Sequence, residues 1–469
     1  MQDHKHTQLS SSISTMITVL ILLALTVTAD GQSGRRTEIR YDPTWESLDS
    51  RPLPTWYDEA KIGVFVSWGV FSVPSFGNEW FWEYWQGQRI PEYVQYMQNN
   101  YKPDFTYADF ASDFTAEFYD AEAWAELFEA SGAKYTIFIT KHHGGFCNWA
   151  TNVSFNWNSM MVGPKRDIVG EMARALKSKT DIHLGLYHSM YEWFNPLYLQ
   201  DKANNFTTTK FAEQKTIPEL YELVNTYEPD LLWSDGDGEA PDTYWGSKEF
   251  LAWLYNDSPV KDRVVVNDRW GKGDACHHGG YLTCGDRFNP GVLQPRKWEG
   301  GLTIDRGSWG FRREATLEEY LTMDDIITRL VEVVSCGGNL AINVSPTKYG
   351  MISPIFEERL RQMGEWLKVN GEAIYSSKPW VAQNDTVTPG VWYTQRAGTV
   401  YAIVLKWPQP GQLILGSALP KTGMKVNLLG YTEGPFSWQN ASPKGISITI
   451  PPISVNKMPC QWAWVFAMT

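Results

Sequence analysis

The 469-residue chain carries 53 acidic and 41 basic side chains, a formal charge of −12, and 43% of its residues are apolar. The charge excludes a nucleic-acid binder, which needs a basic phosphate-facing surface, and it argues against electrostatic docking onto anionic membranes. The apolar content excludes a disordered chain. No repeat at a solenoid period is visible, and the 23 Trp supply either a large aromatic core or platforms for sugar rings.

The first feature in chain order is an apolar run from Met16 to Val27, behind a weakly basic leader at Lys5. It is short for a bilayer span and ends in the small-residue stretch Val27-Thr28-Ala29, so residues 1–29 read as a secretory signal peptide. No other run is long enough to insert into a membrane. Export gives meaning to the Asn-x-Ser/Thr sequons. Asn152, Asn205, Asn256, Asn384 and Asn440 are glycosylation candidates, whereas Asn343 lies in an apolar run and is expected to be buried and unmodified. Five cysteines are too few for a disulfide scaffold. Cys276 and Cys284 bracket a short loop and form the expected disulfide.

From residue 30 to 374, apolar runs alternate with helical patterns. The strand candidates are Gly63 to Val66, Tyr135 to Ile139, His183 to Tyr187, Leu231 to Trp233, Val264 to Val266 and Leu340 to Ile342. Continuous apolarity suits strands buried on both faces. Helices are expected around Trp124, Leu127 and Phe128, around Ile326 to Val334, and from Phe356 to Leu367, each stopped by a glycine. This alternation predicts a (β/α)₈-like, TIM-type catalytic barrel, regular or irregular, of which six strands are legible. From residue 375 to 469 helical periodicity disappears. Short runs at 391–393, 400–405, 412–415, 426–429, 446–450 and 462–466 predict a C-terminal antiparallel β-sandwich.

Most barrel strands end in a polar or small residue: Ser67-Trp68-Gly69, Lys141-His142-His143, His188, Asp235, Asn267-Asp268-Arg269 and Asn343. In a barrel these C-terminal ends converge on one face and build the site. Adjacent histidines on a strand end point to opposite sides, and no His-x-x-x-His or Cys-x-x-Cys spacing occurs, so no metal is expected. Hydrolysing a glycoside needs two carboxylates. Asp235 ends a buried strand and is the natural nucleophile; Asp237, before Gly238, reads as a turn residue. The acid/base is open between Asp286, just past Cys284, and Glu299, whose neighbour Trp298 could raise its pKa.

The segments Trp-Tyr-Asp-Glu-Ala-Lys-Ile-Gly-Val-Phe from Trp56, Asn-Glu-Trp-Phe-Trp from Asn78, Lys-His-His from Lys141, Gly-Leu-Tyr-His-Ser from Gly185, Leu-Trp-Ser-Asp-Gly from Leu232, Val-Asn-Asp-Arg-Trp-Gly from Val266, Lys-Trp-Glu from Lys297 and Asn-Asp-Thr-Val-Thr-Pro from Asn384 resemble the animal α-L-fucosidases of glycoside hydrolase family twenty-nine, more the secreted plasma type than the lysosomal tissue type. The resemblance implies a retaining exo-glycosidase that removes terminal α-L-fucose from glycoproteins, glycolipids or oligosaccharides by double displacement, without a cofactor. It assigns Asp235 as nucleophile and Glu79, Trp80, His142, His143, Tyr187 and Arg269 to the sugar pocket. It leaves Asp286 and Glu299 as acid/base candidates, with Asp286 favoured because the bracketed loop could hold it over the site. It implies secretion, with the lysosome as alternative, and a family tendency to form homo-oligomers.

Two positions depart from the family pattern. Ser67 stands where a histidine is usual, and Gly144 stands where an acidic residue is usual. Loss of the histidine removes a sugar hydrogen bond, worth about 1–3 kcal/mol if its partner is left unsatisfied. The two departures support an alternative, a catalytically weak fucose-binding relative; the retained Asp235 and Arg269 speak against it. A metal-dependent hydrolase on a barrel is disfavoured by the missing ligand spacing.

Overall fold

The structure, a computed structural model, describes residues 39–408 and 411–469. The signal-peptide segment lies outside the described residues. Among those described, no helix is long and apolar enough to cross a membrane.

Seven parallel strands form the first sheet: β1 (Ile62–Val66), β2 (Tyr135–Lys141), β3 (Gly185–Ser189), β4 (Leu231–Asp235), β5 (Val265–Val266), β6 (Trp298–Thr303) and β7 (Gly338–Val344). Their order is β5-β4-β3-β2-β1-β7-β6. The end strands β5 and β6 are bridged by residues 280–282. The amides of Gly280 and Tyr281 donate to Val266 O, the Leu282 amide donates to Lys297 O, and the Glu299 amide donates to Leu282 O. This short segment closes the gap in the TIM-like sheet.

Side-chain alternation explains why the strands are apolar throughout. Phe65, Ile137, Ile139, Tyr187, Leu231, Trp233 and Ala341 form one cluster inside the barrel. Their neighbours Val64, Val66, Phe138, Leu186, Leu232 and Ile342 belong to the outer cluster that packs on the helices. Asp235 continues the inward row of Leu231 and Trp233 by two residues, so it emerges on the pocket side.

Two features differ from the strands expected from sequence. The strand β3 starts at Gly185, not His183; His183 makes a single bridge to Tyr135, bonds Asp230 at 2.8 Å and stacks on Trp56 at 3.9 Å between ring centroids. The strand β6 is new. Its sequence, Trp-Glu-Gly-Gly-Leu-Thr, breaks apolar continuity with a buried carboxylate and two glycines. Gly301 is required by close approach: a Cβ there would lie 2.6 Å from the Trp309 ring.

The C-terminal part holds two antiparallel sheets. β8 (Lys378–Asn384), β9 (Val391–Arg396), β10 (Thr399–Val404), β12 (Val426–Leu428) and β15 (Trp464–Met468) form the larger, and β11 (Gly411–Leu415), β13 (Trp438–Asn440) and β14 (Ile446–Ile450) the smaller. Tyr393, Val404, Leu415, Ile448 and Phe466 pack between them as a separate apolar core. The six strands expected here are present, with β8 and β13 added. Residues Tyr41–Thr469 form one compact unit. Contacts such as Trp366 Nε1 donating to Ala463 O at 2.9 Å join its two parts.

The sequons divide by exposure. Asn152, Asn205, Asn384 and Asn440 are exposed, and Asn343 is buried. Asn256 differs from the glycan-bearing role expected of it. Its Oδ1 accepts from the Tyr41 amide and its Nδ2 donates to Tyr41 O, both at 2.8 Å, so the amide nitrogen that would carry a sugar is occupied, on a residue only 9% exposed.

Candidate active site

The pocket opens at the C-terminal ends of the strands, where a barrel gathers its loops. It encloses about 390 Å³ including its open mouth, and is lined by Phe65, Ser67, Glu79, Trp80, Ile139, His142, Tyr187, Trp233, Asp235, Asp286 and Trp309. Aromatic walls with a few convergent polar groups are the usual make-up of a small-molecule site.

Asp235 closes β4 with both oxygens engaged. Oδ1 accepts from Arg269 Nη1 at 2.9 Å, and Oδ2 accepts from the Tyr187 hydroxyl at 2.7 Å. Burial acts to raise its pKa, but the Arg269 charge, His143 and the Tyr187 hydrogen bond outweigh it and hold the carboxyl at about 2. Arg269 lies over the Trp233 ring at 4.5 Å. Its second terminal nitrogen, Nη2, donates to Asp286 Oδ1 at 2.8 Å. One guanidinium therefore spans both carboxylates, Asp235 inside the pocket and Asp286 at its mouth with 62% of its side chain exposed.

The two histidines after β2 differ from the expected opposite orientations. The register between β2 and β3 slips between Ile139 and Lys141, and the strand ends at Lys141, so strand alternation no longer governs the next residues. Lys141 turns into a buried ion network, with Glu192 at 3.0 Å and Glu219 at 2.6 Å. His142 and His143 both reach the site, their ring centroids 4.1 Å apart. The protonation of His143 follows from its partners. The Ser189 hydroxyl donates its single proton to Tyr191 O at 2.8 Å, so its 2.7 Å contact with His143 Nδ1 requires Nδ1–H as donor. The bare Nε2 then faces Asp235, 3.6 Å from Oδ2. Burial pulls the His143 pKa down to about 4 against the opposing pull of Asp235. Burial likewise depresses His142, with His143 adding to the shift.

Glu79 is held by Ser308 Oγ and by the amides of Trp309 and Gly310, all within 3.1 Å of Oε2. Burial raises its pKa against those bonds. Trp80 meets His143 edge-on at 5.4 Å. Asp237 is not a surface turn residue: it is 7% exposed and its Oδ2 accepts from the Gly271 amide. Burial, then the nearby Asp235 charge, lifts its carboxyl to about 7.

Glu299 stands apart from the other expected residues. It does not line that pocket but a small cavity shared with Trp233, Arg269, Asp286 and Trp309, and there Tyr57 and Tyr135 donate to Oε2 at 2.9 and 2.6 Å and Trp233 Nε1 donates to Oε1 at 3.1 Å. Burial raises its pKa against these three bonds. Both of its oxygens are thus occupied by Tyr57, Tyr135 and Trp233. Replacing Glu299 with Gln turns an N–H₂ donor toward groups that themselves donate and is expected to cost about 1–3 kcal/mol of stability. A lowered urea midpoint, with the relative rates on good and poor leaving groups unchanged, is the expected measurement.

At the two departures, Ser67 lines the pocket while its hydroxyl donates to Asn343 Oδ1 at 2.6 Å. Beside Gly144 the space is filled by Tyr107, whose ring carbon would lie 3.0 Å from an added Cβ. Cys276 and Cys284 are bonded to each other, and their loop leads into Asp286. Sequence reasoning missed Phe65, Ile139, Trp233 and Trp309 as pocket walls. Trp233 was signalled, being two residues before Asp235 on the same strand face. Trp309 follows the unrecognised β6 and carried no comparable signal.

Comparisons with known proteins identify the family. The alpha-L-fucosidase family pattern matches residues 28–372, and the alpha-L-fucosidase C-terminal domain pattern matches residues 383–469. An alpha-L-fucosidase of Branchiostoma floridae is 59% identical over 92% of this chain and 96% of its own. The human plasma alpha-L-fucosidase is 56% identical over 92% of each chain, and the human tissue alpha-L-fucosidase is 53% identical over 96% of each. The crystal structure of Thermotoga maritima alpha-fucosidase in complex with fucose superposes with a TM-score of 0.78 at 32% identity, over 92% of this chain and 100% of that one. The chain belongs to the alpha-L-fucosidase family, glycoside hydrolase family twenty-nine.

Proposed function

We propose that this protein hydrolyses terminal α-L-fucose from fucosylated glycans with retention of configuration, using Asp235 as nucleophile and Asp286 as acid/base. The observation that carries this reading is the single Arg269 guanidinium, which bonds Asp235 at 2.9 Å and Asp286 at 2.8 Å. Two carboxylates tied to one planar group are close neighbours, which suits a retaining pair separated by roughly 5–5.5 Å. Asp235, ionised and aimed by Tyr187 and Arg269, attacks the anomeric carbon. Asp286, open to solvent, protonates the leaving oxygen and then takes a proton from the water that resolves the fucosyl-enzyme. His143 Nε2 accepts a sugar hydroxyl, and Trp80, Trp233 and Trp309 pack the ring. The signal-peptide reading and the exposed sequons at Asn152, Asn205, Asn384 and Asn440 support an exported glycoprotein.

The test is release of nitrophenol from a nitrophenyl α-L-fucoside, with the first-formed sugar anomer read by NMR. α-L-Fucose as first product supports the reading; the β anomer, or no turnover, overturns it. The pH dependence follows from the shifts described. Between pH 5 and 8 Asp235, at about 2, is charged, and His143, at about 4, is neutral. Protonating His143 removes the Nε2 acceptor and adds a positive charge beside the nucleophile. The acid limb of kcat/KM is therefore expected below pH 5, centred near 4. A limb centred above pH 6, where an unperturbed histidine titrates, contradicts the assignment.

A further inference from the structure

Asp268 touches no part of the pocket, is fully buried, and sits at the root of everything that Arg269 holds. Its Oδ2 accepts from the backbone amides of Cys276 at 2.8 Å and Cys284 at 3.0 Å. One oxygen thus holds both ends of the disulfide-closed loop. Both cysteines have left-handed backbone, φ 67° and 56°, which non-glycine residues hold only when their surroundings fix them. The other oxygen, Oδ1, accepts from the Thr283 hydroxyl. With its proton committed to Asp268, Thr283 Oγ1 accepts from Arg269 Nε at 3.1 Å. The remaining guanidinium nitrogens then reach Asp235 and Asp286.

We propose that Asp268 is a positioning residue for fucoside cleavage: it fixes the 276–284 loop and, through Thr283, the Arg269 fork, so that Asp286 is set over the leaving oxygen. This rests on the reading of Asp286 as acid/base. The physical reason is that an arginine side chain keeps its reach only while its own nitrogens are anchored. Arg269 has one anchor behind it, Thr283, and two carboxylates in front. An anchored loop likewise decides where the exposed Asp286 stands. Misplacement of a reacting group by an ångström costs up to about a hundredfold in rate.

The test compares Asp268→Asn with wild type on dinitrophenyl α-L-fucoside, whose leaving group needs no proton, and on a fucosyl disaccharide, whose leaving group does. Active sites are counted with a fluorinated fucosyl reagent that traps the nucleophile. Asparagine keeps the shape but turns an N–H₂ toward either the cysteine amides or Thr283. The expected result, per trapped site, is a loss of about ten- to a hundredfold on the disaccharide with the burst rate of dinitrophenol release, which reads the first step alone, kept within a few fold. A merely structural role lowers the number of trapped sites and the thermal midpoint and leaves the ratio of the two rates at its wild-type value; that outcome overturns the proposal. Should Asp268→Asn yield no folded protein, Thr283→Val, which removes only the hydroxyl link and leaves both cysteine amides bonded, must shift the ratio in the same direction by a smaller factor; an unchanged ratio overturns the proposal. Asp286→Ala run in parallel separates the two ideas. If Asp286→Ala shows no leaving-group dependence, the acid/base reading fails; if it does and Asp268→Asn does not, only the positioning role fails.

Discussion

Asp235→Gly is expected to lower kcat on an aryl α-L-fucoside by at least about a thousandfold, and azide is expected to return part of the rate as β-L-fucosyl azide. The loss follows from what Asp235 alone supplies. Its carboxylate is ionised throughout the working range, held at about 2 by Arg269, His143 and Tyr187 against burial, and it ends an inward-facing strand row. The rescue follows from what the variant leaves behind. Arg269 keeps its charge and its bond to Asp286 but loses the Asp235 partner at 2.9 Å, so a small anion is drawn into the vacated space. Attack by azide from that side, opposite the leaving group, inverts the centre once. NMR coupling at the anomeric position reads the product. A variant that keeps wild-type turnover, or gives the α azide, removes Asp235 from the nucleophile role.

The parts of this site that were legible in the sequence are those where one rule acts alone. Apolar strands capped by a polar residue placed Ser67, His142, Asp235 and Arg269 on one face, because parallel strands share their C-terminal ends; the same rule offered His188, which instead contacts Thr140 and Glu219, and Tyr187 came from the family resemblance. Where two rules compete, the sequence misleads. In β6 the residue that makes the strand work, Glu299, is polar because it anchors Tyr57, Tyr135 and Trp233 inside the barrel. Of the glycines beside it, Gly301 is small because Trp309 presses against it and Gly300 because the Phe288 carbonyl lies 2.9 Å from where its Cβ would stand, and together they hide the strand. The histidine pair defied alternation because the chain leaves the sheet at Lys141, a boundary that no residue type announces. Asn256 reads as a sequon until its amide is seen bound to Tyr41, 215 residues away. The support by Asp268 was likewise illegible: Asp-Arg is a plain pair of charges until the loop between Cys276 and Cys284 folds back onto it.

Asp286→Ala is expected to separate substrates by their leaving groups. On a fucosyl disaccharide, where departure requires a proton, the loss is expected at about 10²–10⁴-fold, the range for removing a general acid. On dinitrophenyl α-L-fucoside the first step survives, and the variant stalls at the fucosyl-enzyme, because the same residue must activate the water. Azide needs no deprotonation, so it accelerates turnover and yields α-L-fucosyl azide. Asp235 is intact, and two successive inversions restore the starting anomer. The two variants therefore give opposite anomers from one reagent, and no general weakening of the pocket produces that pairing. The structure favours Asp286 over Glu299 for this work on access. Asp286 stands at the mouth with 62% of its side chain exposed, able to meet both a leaving sugar and an incoming water. Glu299 is 3% exposed with both oxygens occupied by Tyr57, Tyr135 and Trp233. Were Glu299 the acid, Glu299→Gln would show the leaving-group dependence and Asp286→Ala would not. The geometry predicts the reverse, since both Glu299 oxygens already accept hydrogen bonds inside the barrel, whereas Asp286 keeps an exposed face for the leaving oxygen and the incoming water.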